Sequence, residues 1–347
     1  MCNHPLKGFQ VGFTDAGKPK YKIVSFDVDH CEIDMTGHVT VCMEKFTGAN
    51  CSDRIDNYIE MPCGKCIECR LEYSRQWANR CMLELQYHDP RFCWFVTLTY
   101  DDMSMQHLPV GLINDCEVHS VDKQDIQKFF KLLRRDVEYH DRAVEPSIRY
   151  FCCGEYGSKS LRPHYHAIIY GLNLPDNTSW SKSHHNFQLF RSPYLEKIWK
   201  KGFVVVSPVT WETCAYTARY VMKKAKGLTA DQYMEHGINP EFVLMSRRPG
   251  IGRQYFDDHY KDIYKFDSIN VSTSQGGKTF KPPRYFDQLY AQIDSIESEV
   301  LKINRRECAE AAIELKLKGT DKSYVDVLRT EEKILSSKVK ALRRDHI

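Results

Sequence analysis

The chain has 347 residues, 42% of them hydrophobic, so it can bury a sizeable core and is longer than a typical single domain. Its 49 Lys and Arg outnumber its 46 Asp and Glu by only three, which excludes a protein that coats nucleic acid through its overall charge. The sequence contains neither a run of about 18 apolar residues nor a signal-peptide core, so we expect a protein of the cytoplasm without a membrane partner.

Residues 1–90 form an N-terminal segment in which three cysteines are closely spaced. Fourteen cysteines in a long chain without an export signal favour a reducing compartment and one metal site over disulfides. The C-x2-C-x2-C spacing of Cys63, Cys66 and Cys69 is typical of thiolate ligands of a structural Zn²⁺. Cys2 or His4 would be the fourth ligand if the N-terminal residues fold back. Free thiols at a helix start and an iron–sulphur cluster are the alternatives.

The hydrophobic pattern downstream of these cysteines predicts a helix to about residue 88 and then alternating strands and helices. The order is β-α-β-β-α-β followed by one more helix, which is the ferredoxin-like arrangement. We therefore expect an α+β fold whose antiparallel sheet has helices on one side and the last helix near the other face. The predicted elements are strand 92–99, helix 122–140, strands 148–154 and 164–171, polar insertion 173–192, helix 194–199, strand 203–207 and a helix that includes 215–223.

Two histidines lie at alternate positions of the predicted strand 164–171. Alternate residues share one face of a strand, so His164 and His166 face together while Tyr165 turns away. Glu155 ends the preceding strand, and a hairpin would bring it beside His164. Two imidazoles and a carboxylate with open positions suit Mg²⁺ or Mn²⁺, with a phosphate oxygen as a further ligand. On its own, the His-x-His pattern is equally compatible with surface residues that bind nothing.

Two tyrosines and a lysine share one face of the predicted helix that includes 215–223. Tyr216, Tyr220 and Lys223 occupy positions i, i+4 and i+7, which point to the same side of a helix. A phenol beside a metal-bound phosphate can attack a phosphodiester, and the lysine can stabilise the developing charge. Attack would leave a 5′-phosphotyrosine and a free 3′-OH for a polymerase. Packing of either tyrosine in the core is the structural alternative.

Several segments of the chain resemble one known family in the same order. They resemble the rolling-circle replication initiators of the HUH endonuclease superfamily, in particular the two-tyrosine initiators of gokushoviruses, a branch of the microviruses. The similarity spans roughly residues 1 to 260. The matching segments are Cys63–Arg70, Phe95–Tyr100, Gly154–Gly157, Arg162–His166, Ala215–Lys223 and Leu244–Gly252.

The resemblance implies a metal-dependent DNA nickase and ligase that starts and ends rolling-circle replication of a single-stranded-DNA phage in the cytoplasm of a bacterial host. It implies Glu155 at the family's acidic position and Lys223 at its lysine position. The implied partners are single-stranded DNA at a replication origin, a host helicase and a host DNA polymerase. A plasmid initiator or relaxase is the near alternative, and a non-catalytic zinc-containing DNA-binding protein is the distant one.

Basic residues are concentrated near the tyrosine helix, where they can hold a phosphate backbone. Between residues 215 and 253 there are seven Lys or Arg against three acids. The expected DNA-binding residues are Arg219, Lys224, Lys226, Arg247, Arg248 and Arg253, beside the catalytic Lys223.

The chain divides on these grounds into residues 1–90, an endonuclease domain at 91–260, and a linker with a helical C-terminal extension at 261–347. The extension is rich in charge and has an apolar stripe spaced by threes and fours. Such a stripe fits dimerisation or packing back on the protein, so the oligomeric state stays open. The stripe consists of Leu289, Ile293, Ile296, Val300 and Ile303.

Overall fold

The computed structural model describes residues 2–15, 17–43, 53–113, 116–140, 147–157, 160–182, 188–223, 233–273 and 276–341. The strands are β1 (Leu6–Phe13), β2 (Pro19–Ser25), β3 (His30–Ile33), β4 (Val39–Cys42), β5 (Asp53–Ile55), β6 (Tyr58–Met61), β7 (Trp94–Tyr100), β8 (Val110–Ile113), β9 (Cys116–His119), β10 (Arg149–Tyr156), β11 (Pro163–Tyr170), β12 (Thr178–Lys182), β13 (Gln188–Arg191), β14 (Gly202–Pro208), β15 (Phe242–Met245), β16 (Ile269–Thr273) and β17 (Gly276–Phe280). The helices are α1 (Ile67–Leu85), α2 (Asp102–Met105), α3 (Lys123–Tyr139), α4 (Pro193–Trp199), α5 (Trp211–Lys223), α6 (Arg253–Phe266), α7 (Arg284–Ile293), α8 (Ser295–Lys318) and α9 (Tyr324–Ala341).

The chain forms two compact units. The first comprises Met1–Leu71 with Ala312–Arg343, and the second is centred on Glu72–Ala311. These bounds differ from the divisions at 90 and 260 expected from sequence, because compactness groups segments by contact and not by chemistry. Where the endonuclease domain begins and ends stays a prediction.

The first unit consists of two small antiparallel sheets, ordered β2-β1-β6 and β4-β3-β5, together with α9. Its apolar core is small and centres on Phe9, Val28 and Cys31. The C-terminal helix packs on this unit, because the Tyr324 hydroxyl donates to Glu60 at 3.0 Å and its ring lies 5.9 Å from that of Phe26.

The second unit is built on a seven-stranded antiparallel sheet ordered β12-β13-β14-β7-β11-β10-β15. Its centre follows the chain order β7-α3-β10-β11-α4-β14, and the four core strands lie side by side as fourth, first, third and second. The predicted α+β class and ferredoxin-like arrangement are therefore confirmed. Among the described residues, no helix combines the length and apolarity needed to cross a membrane.

The two faces of this sheet are covered by different helices. Val96, Leu98 and Tyr100 alternate with Phe95 along β7, and the first three pack with residues of α3 and α4. Phe95 packs on the other face with residues of α1 and α5. The expectation that the tyrosine helix lies opposite the other helices of the core is confirmed.

The predicted polar insertion contains two strands that sequence patterning did not indicate. β12 and β13 extend the sheet, because Phe190 of β13 pairs with Val206 of β14. Every residue of β12 is exposed, so its side chains show no alternation of buried and exposed positions. Backbone pairing at the sheet edge stabilises these strands and is independent of the apolar periodicity on which sequence reasoning depends.

The predicted apolar stripe near the C-terminus does not lie on one continuous helix. Asp294 has an extended backbone between α7 and α8 and so interrupts the stripe. Leu289 is buried beside Phe286, which confirms packing back for this part of α7. The other four residues of the stripe are exposed, namely Ile293, Ile296, Val300 and Ile303.

Candidate metal and tyrosine site

The hairpin of β10 and β11 brings one glutamate and two histidines together. In the register of this pair Glu155 lies directly opposite His164, and His166 follows two residues later on the same face. The Glu155 Oε1 atom lies 2.7 Å from His164 Nε2 and 2.9 Å from His166 Nε2. The structure thus brings together the three residues that sequence predicts as metal ligands, in a group where all three ligand atoms lie within 4.8 Å of one another.

Hydrogen bonds on the far side of each imidazole fix its orientation. His164 Nδ1 lies 3.0 Å from the carbonyl oxygen of Arg162, which can only accept, so this nitrogen carries the proton. His166 Nδ1 lies 2.9 Å from the Thr97 hydroxyl. Such outer contacts are typical of metal-binding histidines, because they turn Nε2 towards the ion. Sequence reasoning missed Thr97, whose position opposite His166 follows only from the β7–β11 register.

Glu155 is charged at neutral pH despite its burial. The side chain is almost fully buried, which opposes ionisation, but hydrogen bonds from His164 and His166 outweigh this and lower its pKa to about 2. Two imidazole nitrogens and one ionised carboxylate therefore fit a divalent ion such as Mn²⁺ or Mg²⁺. Asp101, a weaker candidate ligand from sequence, lies outside this group and caps α2 by accepting from the Ser104 amide at 2.7 Å.

Glycine at position 154 allows the hairpin to pack tightly beside this site. A Cβ atom at Gly154 would lie 2.8 Å from the Phe242 ring and 3.1 Å from the Tyr165 ring. A larger residue would displace these rings and, with them, the strand that contains Glu155. The Gly-Glu-Tyr-Gly segment thus combines a packing requirement at its first residue with a ligand at its second.

The tyrosine helix begins at a reciprocal pair of threonines and places Tyr216 beside the histidines. The Thr210 amide donates to the Thr213 hydroxyl at 2.9 Å, and the Thr213 amide donates to the Thr210 hydroxyl at 3.2 Å. The Tyr216 ring meets the His166 ring edge-on with centroids 5.1 Å apart, and the Phe95 ring at 6.0 Å. Tyr216 is 8% exposed, so its ring is held against the metal-ligand group.

The second tyrosine and the lysine lie on the same helix. The backbone of α5 continues to Lys223, so Tyr220 follows Tyr216 by one turn and Lys223 follows by two. The side chains of Arg219, Tyr220 and Lys223 lie outside the described residues, as do Lys224 and Lys226 entirely.

The predicted DNA-binding arginines after β15 differ in their surroundings. Arg247 and Arg248 are exposed, whereas Arg253 is partly buried and forms an ion pair with Asp257 at 2.7 Å. Arg247 and Arg248 are therefore the better placed of the three for contacts with phosphate.

The cysteine cluster of the first unit has four members. Cys2 joins Cys63, Cys66 and Cys69, with all four sulphurs within 4.8 Å of one another and all four thiols free of disulfides. His4, the other candidate for the fourth position, instead pairs with Glu332 at 2.8 Å.

The spacing and hydrogen bonding of these sulphurs fit thiolate ligation. Cys2 Sγ and Cys66 Sγ are 3.7 Å apart, close to the ~3.8 Å between two thiolates on one tetrahedral Zn²⁺. Burial opposes ionisation of Cys66, but amide donors from Cys69 and Asn3 outweigh it and lower its pKa to about 7. A lowered thiol pKa is expected of a metal ligand.

Comparisons with known proteins identify the family. The family model for replication-associated protein ORF2 matches residues 93–225, which include the β10–β11 hairpin and the tyrosine helix. Replication-associated protein ORF2 of Spiroplasma virus 4 is 36% identical over 297 residues, which cover 84% of this chain and 88% of that protein. The chain therefore belongs to the ORF2 family of replication-associated proteins. The resemblance to phage replication initiators is confirmed.

More distant relatives come from two other phages. Replication-associated protein VP4 of Bdellovibrio phage phiMH2K is 28% identical over 229 residues, which cover 66% of this chain and 67% of that protein. Replication-associated protein ORF4 of Chlamydia phage 1 is 28% identical over 244 residues, which cover 69% of this chain and 55% of that protein. No solved structure matches the chain.

Proposed function

We propose that this protein is a site-specific single-strand DNA endonuclease and strand transferase that starts and ends rolling-circle replication of a single-stranded-DNA phage. The family supports a role in replication. One observation supports the chemistry, namely that the Tyr216 ring packs against His166 where both histidines converge on Glu155. A nucleophile beside a divalent-metal site is the arrangement that phosphodiester cleavage requires.

In the proposed reaction the Tyr216 hydroxyl oxygen attacks a DNA phosphorus. The tyrosine O–P bond forms, the P–O3′ bond breaks, and the phenol proton is lost while the leaving 3′ oxygen gains one. Mg²⁺ or Mn²⁺ held by Glu155, His164 and His166 would neutralise the charge of the phosphate that repels the phenol. Thr97 and the Arg162 carbonyl keep both histidines aimed at that position.

Two tyrosines would allow initiation and termination by one molecule. One phenol retains the 5′-phosphate of the first cleavage while the other attacks at the end of a replication round. The phosphotyrosine bond conserves the energy of the phosphodiester, so a 3′-OH can reverse it and close a circle. We assign Tyr220 as the second nucleophile and Lys223 as the cation beside the developing charge, from their positions on α5.

The partners follow from the same chemistry. The free 3′-OH requires a DNA polymerase, and the separated strands require a helicase, both of which we assign to the bacterial host in whose cytoplasm the reaction takes place. We assign contacts with the origin DNA backbone to Arg219, Lys224, Lys226, Arg247 and Arg248, with Arg253 in a lesser role because of its ion pair.

The decisive experiment is a nicking assay on single-stranded and supercoiled DNA of the cognate replicon with Mg²⁺ or Mn²⁺. The double change His164→Ala with His166→Ala should abolish nicking and leave most DNA binding, because the ligands are lost but the basic residues remain. His107→Ala, which removes an exposed histidine, is the matched control. Full nicking by the double variant in EDTA would refute the metal site, and binding without nicking by the wild type would favour a DNA-binding protein.

A further inference from the structure

A second hairpin, in the first unit, brings together a histidine, a glutamate and a cysteine. His30 and Glu32 occupy alternate positions of β3 and therefore share one face. Cys42 lies directly opposite His30 on β4. The three ligand atoms lie within 4.8 Å of one another. The β10–β11 group is built in the same way, from two alternate residues of one strand and a third opposite the first of them.

The contacts of the histidine resemble those of a metal ligand. His30 is fully buried, with Nε2 3.2 Å from Glu32 Oε1. Its Nδ1 lies 3.2 Å from Asp29 Oδ2, and Asp29 in turn lies 3.6 Å from Arg54 Nη2. A carboxylate on the far nitrogen of a metal-binding histidine fixes the ring and raises its basicity. Nδ1 donates to Asp29, and Nε2 then faces the Glu32 carboxylate and the Cys42 thiol.

We propose that His30, Glu32 and Cys42 bind one Zn²⁺ ion, with Asp29 as the outer carboxylate. Imidazole, carboxylate and thiolate together suit a divalent ion of intermediate softness better than Mg²⁺ or Ca²⁺. Binding takes the neutral imidazole and releases the thiol proton to solvent. The ion compensates two negative ligands in a place where burial makes uncompensated charge costly.

The site would stabilise a unit that has little apolar core. Phe9, Val28 and Cys31 are the buried centre of its sheets, and small domains commonly depend on metal ions where the core is limited. His30 and Cys42 are too far apart in the chain to match the short ligand spacings of common zinc motifs. The β3–β4 register alone makes them neighbours, so sequence inspection does not find this group.

The test is the number of zinc ions per full chain, measured by native mass spectrometry and elemental analysis. The His164→Ala with His166→Ala variant is the background, so that zinc at the nicking site does not contribute. His30→Ala should remove one zinc ion from this background. His38→Ala, an exposed histidine between β3 and β4, is the matched control and should remove none.

A second variant keeps the test valid if His30→Ala does not fold. Cys42 is partly exposed, so Cys42→Ala removes the thiolate with a small loss of packing and should also remove or weaken one zinc. An unchanged zinc count in either folded variant overturns the proposal. A buried His30 that stays protonated at neutral pH by NMR, in a protein without zinc at this hairpin, also overturns it. Neither result depends on nicking, so the proposed function stands or fails separately.

Discussion

At the scale of single residues, the two tyrosines of α5 differ from the other tyrosines near the site. Tyr165 lies on the opposite sheet face, where its hydroxyl is 2.7 Å from that of Tyr100, and burial raises its pKa. Tyr170 is fully buried and donates to the Cys81 carbonyl at 3.1 Å. Neither phenol is accessible to DNA, whereas Tyr216 lies against the metal-ligand group.

The nucleophile can therefore be assigned by substitution and mapping. Either single change, Tyr216→Phe or Tyr220→Phe, should permit a first nick on a short origin oligonucleotide, because each phenol is expected to reach the same phosphate. The double change should abolish the covalent adduct, while Tyr139→Phe, at an exposed position, should have no effect. Peptide mapping of the wild-type adduct checks this, and label on Tyr165 or Tyr170 would contradict the mechanism.

Thr97 is a positioning residue for His166. Thr97→Val keeps the shape but removes the hydroxyl that orients the imidazole, so the Mn²⁺ concentration for half-maximal nicking should rise roughly ten- to a hundredfold. Saturating Mn²⁺ should restore much of the rate, and Thr97→Ser should behave as the wild type. An unchanged metal dependence in Thr97→Val would show that this hydrogen bond has no part in ligation.

At the scale of elements, sequence patterning predicts those features that a single strand or helix determines. Alternation along β11 predicts that His164 and His166 share a face, and helical spacing predicts that Tyr216 and Tyr220 share one. The hairpin prediction extends this to Glu155. The contact of Thr97 with His166 depends on how β7 aligns with β11, and nothing local in either strand encodes that register.

The limits have the same cause elsewhere in the chain. β12 has no apolar face, so its periodicity is silent although its backbone pairs in the sheet. Asp294 interrupts an apolar pattern that continues across it, because spacing does not report where the backbone leaves the helix. Long-range pairing and local backbone conformation are thus the parts that sequence inspection does not reach.

One buried carboxylate links α1 to the Leu244–Gly252 segment. Glu84 accepts from the Gly252 amide at 2.6 Å and forms an ion pair with Arg149, which also donates to the Pro249 carbonyl at 3.0 Å. Burial opposes ionisation of Glu84, but hydrogen bonds from His88 and Arg149 outweigh it and lower its pKa. The charged form therefore stabilises the folded protein.

Glu84→Gln should lower the free energy of unfolding at pH 7 by about 2 kcal/mol, the scale of hydrogen bonds to a charged group. Because the folded pKa is lowered, this contribution is present above the unfolded value of about 4.3 and is lost as the pH falls through the folded value. Denaturation curves of wild type and variant should therefore converge in acid. Glu72→Gln, at a half-exposed position of α1, is the control, and an equal loss there would contradict a special role for Glu84.

At the scale of the whole molecule, the balanced charge and the division into two units fit a protein that recognises one site. A net charge of +3 gives little attraction for DNA in general, so binding depends on the exposed Arg247 and Arg248 and on the basic residues that follow the tyrosine helix. The proposed nicking residues all belong to the second unit, and both proposed zinc sites belong to the first.

The cysteine site should determine the stability of the first unit. Cys2 is held to the cluster near residue 66, and the Cys63 amide donates to Cys2 Sγ at 3.3 Å, so the ligands join segments that are far apart in sequence. Cys66→Ser should lose one zinc ion by elemental analysis and lower the midpoint of thermal unfolding, because metal binding and folding are coupled. Cys308→Ser, an exposed thiol outside the cluster, should retain the metal. Full zinc content in folded Cys66→Ser, or folded active wild type without zinc or iron, would rule this site out.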